Sequence, residues 1–437
     1  MQQEKITKIS EHDLRKILCK AGAASRTGLR IFWASGAGDI AETYRKWNNG
    51  NDDDSIVSIA YSAQMFELCE VLNGILSATA NCPKLSPVES PAVKIESFTK
   101  KHLKRSGIYF YLGEMVYVFG LALRAKKSKA DVAVISVGIT YCMLFPFKLM
   151  KIPVLVSLHN THWPRKHRKE GALLQLRYCL DGYAFRNWVE GTVAVSPEII
   201  RQTLEIAGQL RRPILQQIPQ YRSGIIELTP SPFFGRSERF RIMFAGRLEP
   251  NKGIYTLLNA AKILDLEFNG QVEWIICGTG SVDNEFKEEV EKSGMSNSVV
   301  LAGYLKQAEM AAMLTSCHAT ITPTTNDFPE GLSKLPLESV LAGRPAIISS
   351  AIPAIDLIGE AALEFEAESV PSLCEVVRRL LTETGLYESM CLSCIPIRSQ
   401  FFDRSRSWAS GMFRLLTSIE SIRKRLGLSE LEGALDE

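Results

Sequence analysis

Short apolar runs rich in β-branched residues alternate with stretches of helical periodicity along this chain, the pattern of a parallel sheet covered on both faces. In the first half, LRIFWASG (29–36), SIVSIAY (55–61), ADVAVISVG (130–138), PVLVSLHN (153–160) and GTVAVS (191–196) read as strands. Residues 62–78, 108–128 and 172–187 read as helices, and 81–91, with three prolines, as a loop. A polar, Pro/Gly-containing stretch begins at 221 and breaks the series. A second series follows it: FRIMFAGR (240–247), VEWIICGTG (272–280), SVVLAGY (298–304), ATITPT (319–324) and RPAIISS (344–350). The last forty residues are amphipathic, helical and end in a charged tail.

Two such series predict an α/β chain of two Rossmann-like domains. The expected division is a polar N-terminal segment (1–28), a first domain (29–220), a linker (221–239), a second domain (240–395) and a C-terminal helix and tail (396–437). A chain of 437 residues is long enough for both domains. Such a pair binds its ligand in the cleft between domains, outside the carboxyl ends of the strands. A net charge of +3 gives no support for a nucleic-acid partner. The cysteines are scattered, and Cys391 and Cys394 lack a second ligand pair, so reduced thiols of a cytoplasmic protein are expected. Residues 1–20 lack the apolar core of a signal peptide. The hydrophobic window 139–158 is interrupted by Pro146, Lys148, Lys151 and Pro153, so a buried helix and strand explain it better than a membrane span.

The segment PEGLSKLPLESVLAGRP (329–345) carries the sharpest chemical signal. Glu330 and Glu338 lie eight positions apart across a loop-to-helix junction, and Leu337, Val340 and Leu341 have the spacing of a helix face. Free N–H groups at a helix start attract phosphate. Two carboxylates about two turns apart can accept hydrogen bonds from hydroxyls at opposite ends of one ligand. A sugar–diphosphate–nucleoside has that layout. Upstream, FAGRLEPNKGIYTLL places Arg247 and Lys252 between a strand and a helix, where Arg can grip phosphate oxygens and Lys acts as a point charge.

These motifs resemble those of retaining glycosyltransferases with the GT-B architecture, most closely family 4. The family's EGFGLxLLEAMAxGxP reads EGLSKLPLESVLAGRP here, with Ser333 and Lys334 replacing a Gly and an apolar residue. The resemblance implies that Glu330 binds the donor sugar and Glu338 the ribose hydroxyls, with Gly331, Leu332 and Ser333 beside them. It implies that Arg247 and Lys252 hold the donor diphosphate and stabilise it as it leaves, next to Gly246. Gly278 and Gly280 would line the nucleotide pocket, and Tyr304 would stand beside the base. His159, at the end of PVLVSLHN, would contact donor hydroxyls or the leaving phosphate. Gly36 and Gly38 would let the first-domain backbone approach the donor, with Asp39 in a loosely matched acidic position. The C-terminal helix is expected to cross back onto the first domain.

The implied reaction needs no protein nucleophile, because the leaving diphosphate can take the acceptor's proton. No cofactor and no metal are expected, Asp52, Asp53 and Asp54 reading as a solvated turn. The implied partners are a nucleotide-diphosphate sugar and a saccharide or lipid-linked saccharide acceptor, in polysaccharide or glycolipid assembly. Basic residues at 100–105 and 162–169, the former beside the aromatic run at 108–119, add an anionic membrane surface as a candidate partner. Two alternatives stay open: a nucleotide-sugar epimerase of the same fold, and a non-catalytic nucleotide-sugar-binding subunit.

Overall fold

The computed structural model describes residues 28–426 apart from 52, 54–55, 104–105, 169 and 230–237. The polar segment before residue 28, the charged tail after 426 and the middle of the expected linker therefore lie outside the described residues.

The first sheet comprises β1 (Arg30–Ser35), β2 (Ile75–Ala80), β3 (Val88–Glu89), β4 (Val93–Ser97), β5 (Val132–Ile135), β6 (Val154–Leu158), β7 (Val189–Ala194) and β8 (Ile214–Gln216). Their order is β3-β4-β2-β1-β5-β6-β7-β8, parallel throughout except for the β3–β4 pair. The second sheet comprises β9 (Phe240–Ala245), β10 (Val272–Cys277), β11 (Val299–Gly303), β12 (Ala319–Thr322), β13 (Ala346–Ser349) and β14 (Ala362–Phe365). It is all parallel in the order β11-β10-β9-β12-β13-β14. Continuous apolar runs make these strands because both faces are covered: β5 and β6 are buried at every residue. In both sheets the strand order reverses beside the first strand, at β1/β5 and at β9/β12. The loops leaving those strands diverge and open a crevice.

The chain departs from expectation in its early part. Of the expected strand 55–61, the described residues 56–61 form none; Ser58 makes an isolated bridge to Tyr221 and Tyr61 opens the helix Tyr61–Val71. Val57 and Ile59 are apolar because they are buried there, not because they belong to a sheet. The expected helix 62–78 stops at Val71. Asn73 adopts φ +48° and β2 starts at Ile75, its small residues giving a weak strand pattern. β4 and β14 also escaped the pattern, both being short and only partly buried.

The C-terminal element does cross back. Helix Trp408–Ser418 packs on helix Tyr61–Val71 and on β7 of the first sheet. Trp408 Nε1 donates to Ser157 Oγ at 2.8 Å, and Arg404 pairs with Glu67 at 2.6 Å, both side chains buried. Trp408, Met412, Phe413, Leu415 and Leu416 complete the core beneath β1, so the first sheet is finished by the end of the chain.

Candidate active site

Two loops of the second domain place the predicted donor residues. The loop after β9 is held to the loop after β10: Gly246 N donates to Cys277 O, Leu248 N to Thr279 O, and Glu249 accepts from Ser281 Oγ at 2.6 Å. A Cβ on Gly278 would lie 1.9 Å from Gly246 O, and one on Gly280 2.1 Å from Leu248 O. The two glycines thus serve close packing between loops, which is the physical need they meet in this structure. Gly253, at φ +74°, packs against Pro323 O and ties the β9 loop to the loop after β12. That contact brings Lys252 to Glu330. The two form an ion pair, each side chain about 15% exposed, with the Lys252 ammonium 4.1 Å from the Phe328 ring centre. Arg247 stands exposed on the same loop, and Tyr304 is exposed just after β11.

The loop after β12 runs into the helix Leu335–Ala342, whose N-terminus has no side-chain cap. Ser333 sits at φ +65°, the left-handed conformation, where the resembling family places a glycine. Ser333→Gly is therefore expected to stabilise the fold by up to about 1 kcal/mol, read from urea unfolding at an unchanged m-value. Glu338 lies in the buried helix, 6% exposed, with Tyr221 Oη 3.5 Å from its Oε1. Burial raises its pKa, partly offset by Lys334 and Tyr221.

Across the crevice, the first domain holds an open cavity of about 1050 Å³ at the carboxyl ends of β1, β5 and β6. Gly36, Ala37, Gly38, His159 and, from the second domain, Pro329 and Lys334 line it. Gly38 has φ +129°, which needs glycine, and nothing crowds its Cβ position. Asp39 caps the helix Ile40–Asn48, accepting from Ala41 N and Glu42 N, and also lines the cavity. Asp53 also lines the cavity and pairs with Lys46; Asp52 and Asp54 lie outside the described residues.

His159 joins the two halves. Its Nε2 is 3.0 Å from Ser157 Oγ and its ring lies 4.8 Å from that of Tyr61. Gly331 packs so tightly on the His159 carbonyl that a Cβ would come within 1.7 Å, and Thr161 Oγ1 donates to Glu330 O. Lys334 Nζ donates to Ser58 Oγ at 2.7 Å and Gln307 Nε2 to Ile56 O at 2.9 Å, holding the cleft together on its other side. Burial, reinforced by the Lys334 ammonium, pushes His159 down to about 4; His162, buried against Thr203, is also pushed to about 4. Both rings are neutral near pH 7. The unfolded chain would protonate them near 6.5, so their stabilising contribution is complete above that pH and is lost as pH falls towards 4. The melting temperature should fall across that window, and less steeply in His159→Gln.

The predicted residues fall into three groups. Arg247, Lys252, Glu330, Gly331, Leu332 and Ser333 gather on adjoining loops of the second domain, with His159 against them. Gly36 and Gly38 face the cavity instead, while Gly278, Gly280, Tyr304 and Glu338 do not line it.

The sequence reading missed a set of cavity-lining charges. Glu114 is 1% exposed and accepts from Lys100 Nζ at 3.1 Å and from Thr140 N, with His102 against its other oxygen. Lys100, expected as a surface cation, is instead buried in this cluster, because a lone carboxylate inside an apolar helix needs a partner. Asp181, raised to about 6 by burial, accepts from Cys142 N and faces Arg177. The 162–169 run is corrected as well. Arg165 and Lys166 bind Glu364 of the second domain, and Arg168 binds Glu205. Lys169 lies outside the described residues.

Comparison with known proteins agrees with this geometry. Residues 231–391 match the family model for glycosyl transferases group 1. No curated protein sequence matches the chain significantly. Among solved structures, Anabaena Alr3699/HepE in complex with UDP is similar at TM-score 0.61 and 15% identity, over 90% of this chain and 100% of that one. The Anabaena protein has also been solved with UDP-glucose. Sucrose-phosphate synthase from Thermosynechococcus elongatus is similar at TM-score 0.62 and 14% identity, over 89% of this chain and 97% of that one. The fold is GT-B, and the second domain is similar to the group 1 glycosyl transferases, whose family model it matches over residues 231–391.

Proposed function

We propose that this protein is a retaining glycosyltransferase that moves a sugar from a nucleoside diphosphate sugar to a hydroxyl acceptor. The observation that carries the reading is the Lys252–Glu330 pair, with exposed Arg247 on the Lys252 loop, at the strand-order reversal of the second sheet, and with Gly331 next to Glu330 packed on the His159 carbonyl. Arg247 and Lys252 would hold the two phosphates, Glu330 a hydroxyl of the sugar and Glu338 those of the ribose. As the bond from the anomeric carbon to phosphate oxygen breaks, both cations would stabilise the negative charge on the leaving diphosphate. The acceptor oxygen would bond to the same face of that carbon and pass its proton to the departing phosphate oxygen. Neutral His159 would hydrogen-bond sugar or phosphate without repelling Lys334.

The first-domain cavity, with Glu114, Asp181 and Arg177 in its wall, would take the acceptor, a saccharide or lipid-linked saccharide of polysaccharide or glycolipid assembly. The protein would work in the cytoplasm, at an anionic membrane surface, without a metal. The test is a panel of UDP-, GDP- and ADP-sugars, led by UDP-glucose, with the anomeric configuration of the product read by NMR. Retention supports the reading, and inversion would overturn its mechanism.

A further inference from the structure

The largest unexplained feature is an apolar surface on the first domain. Helix Gly107–Lys127 is long and apolar enough to cross a membrane, yet it is the connection from β4 to β5 and is packed on the sheet. Its outer face is bare: Ile108, Leu112 and Val116 are all exposed, Val116 at 71%. The short helix Phe145–Leu149 presents Leu149 at 72%, and helix Ala172–Asn187 presents Leu173 at 84% and Leu176 at 56%. These helices connect β4 to β5, β5 to β6 and β6 to β7, steps that advance in one direction across the sheet. Right-handed crossovers therefore put all three on one face. The segment 141–149 packs between the two long helices and joins their surfaces.

Charge identifies the occupant. The three helices carry two carboxylates, Glu114 and Asp181, and both are buried in the cavity wall. Lys126, Lys127, Lys148 and Arg186 are exposed, with Lys129 and Lys151 on adjoining turns. An apolar strip whose helices expose cations and no carboxylate, with Glu170 and the Arg124-paired Glu96 only at its margins, is complementary to an anionic lipid surface, with side chains entering the acyl boundary and ammonium groups at the headgroups. A protein partner or second copy gives no reason for three helices to bury both of their carboxylates and expose only cations. The strip also reaches the acceptor cavity, whose lining includes Phe110 from one long helix and Arg177 from the other.

We propose that this three-helix face is a membrane-docking surface that lays the acceptor cavity against anionic lipid. It deepens the lipid-linked acceptor reading above, and moves the contact from the 100–105 run, whose Lys100 is buried against Glu114, to this face.

The test is co-sedimentation of the full chain with phosphatidylcholine–phosphatidylglycerol vesicles. Wild type should bind, and Val116→Glu with Leu176→Glu should cut the bound fraction about tenfold or more. Added salt should weaken binding only in part, since the apolar contribution is not screened. Ile263→Glu, at an exposed apolar position of the second domain, should change nothing. If the first pair fails to fold, Leu149→Glu with Leu173→Glu repeats the test. Failure of wild type to sediment at low salt would overturn the proposal, as would a dimer dissociated by these changes without vesicle binding. Nucleotide titration of the same samples separates the readings: retained nucleotide binding without vesicle binding removes the docking face alone.

Discussion

Lys252→Ala is expected to lower kcat by about two to three powers of ten while changing affinity for the intact donor much less. The diphosphate gains charge only as the glycosidic bond breaks, so a cation at the leaving group acts mainly in the transition state. Lys252 is held in place by its loop: Gly253 seats against Pro323, the ammonium pairs with Glu330, and Phe328 lies beneath it. The same substitution strips Glu330 of its partner, so the double variant with Glu330→Ala should lose less than the two single losses combined. Single-turnover rates on the four proteins check this. Full additivity would mean that the two side chains act independently, contrary to the observed pair.

Glu338→Ala is expected to weaken nucleotide affinity by about one to two powers of ten, the cost of a lost charged hydrogen bond. The pH dependence is the more discriminating part. Burial holds the folded-state pKa of Glu338 above the ordinary carboxylate range. The folded protein therefore binds this proton more tightly than the unfolded chain, and its contribution to stability declines as pH rises from the ordinary value through the raised one. In the proposed donor site ribose hydroxyls would donate to the ionised carboxylate, so nucleotide binding should release a proton in that window and tighten as pH rises. Calorimetry in buffers of different ionisation enthalpy measures the proton count. An unchanged affinity in Glu338→Ala would remove this carboxylate from the site.

The second domain was the more legible half. Its strands other than β14 are apolar runs between clear turns, and most of its candidate site residues lie on two loops whose spacing survives in one dimension. Pairing across the first domain was harder to read. Residues 55–61 look like a strand because Val57 and Ile59 are buried at the domain junction. The structure adds a packing need at Gly278 and Gly280 that the sequence does not show, because their loop lies against the β9 loop too closely for a Cβ. The Lys100–Glu114–His102 cluster was invisible as a unit, since a basic run and a lone acid 14 positions on become partners only through the helix that returns between them. Glu114 was still a signal: a single carboxylate in an apolar helix of 21 residues is either exposed or paired. Ser333 was recognised as standing where the resembling family has glycine, and its left-handed φ shows that the loop keeps the glycine conformation.

The central claim is that the cleft face of the second domain binds a nucleoside diphosphate through Arg247 and Lys252. Calorimetric titration of UDP, GDP and ADP into the wild-type protein and Arg247→Ala tests it most directly. One of the three should bind wild type at a single site, and Arg247→Ala should weaken that binding by about tenfold or more, the worth of a charge-assisted contact. Binding of none of the nucleotides to folded wild-type protein, or equal affinity in the variant, would contradict the account.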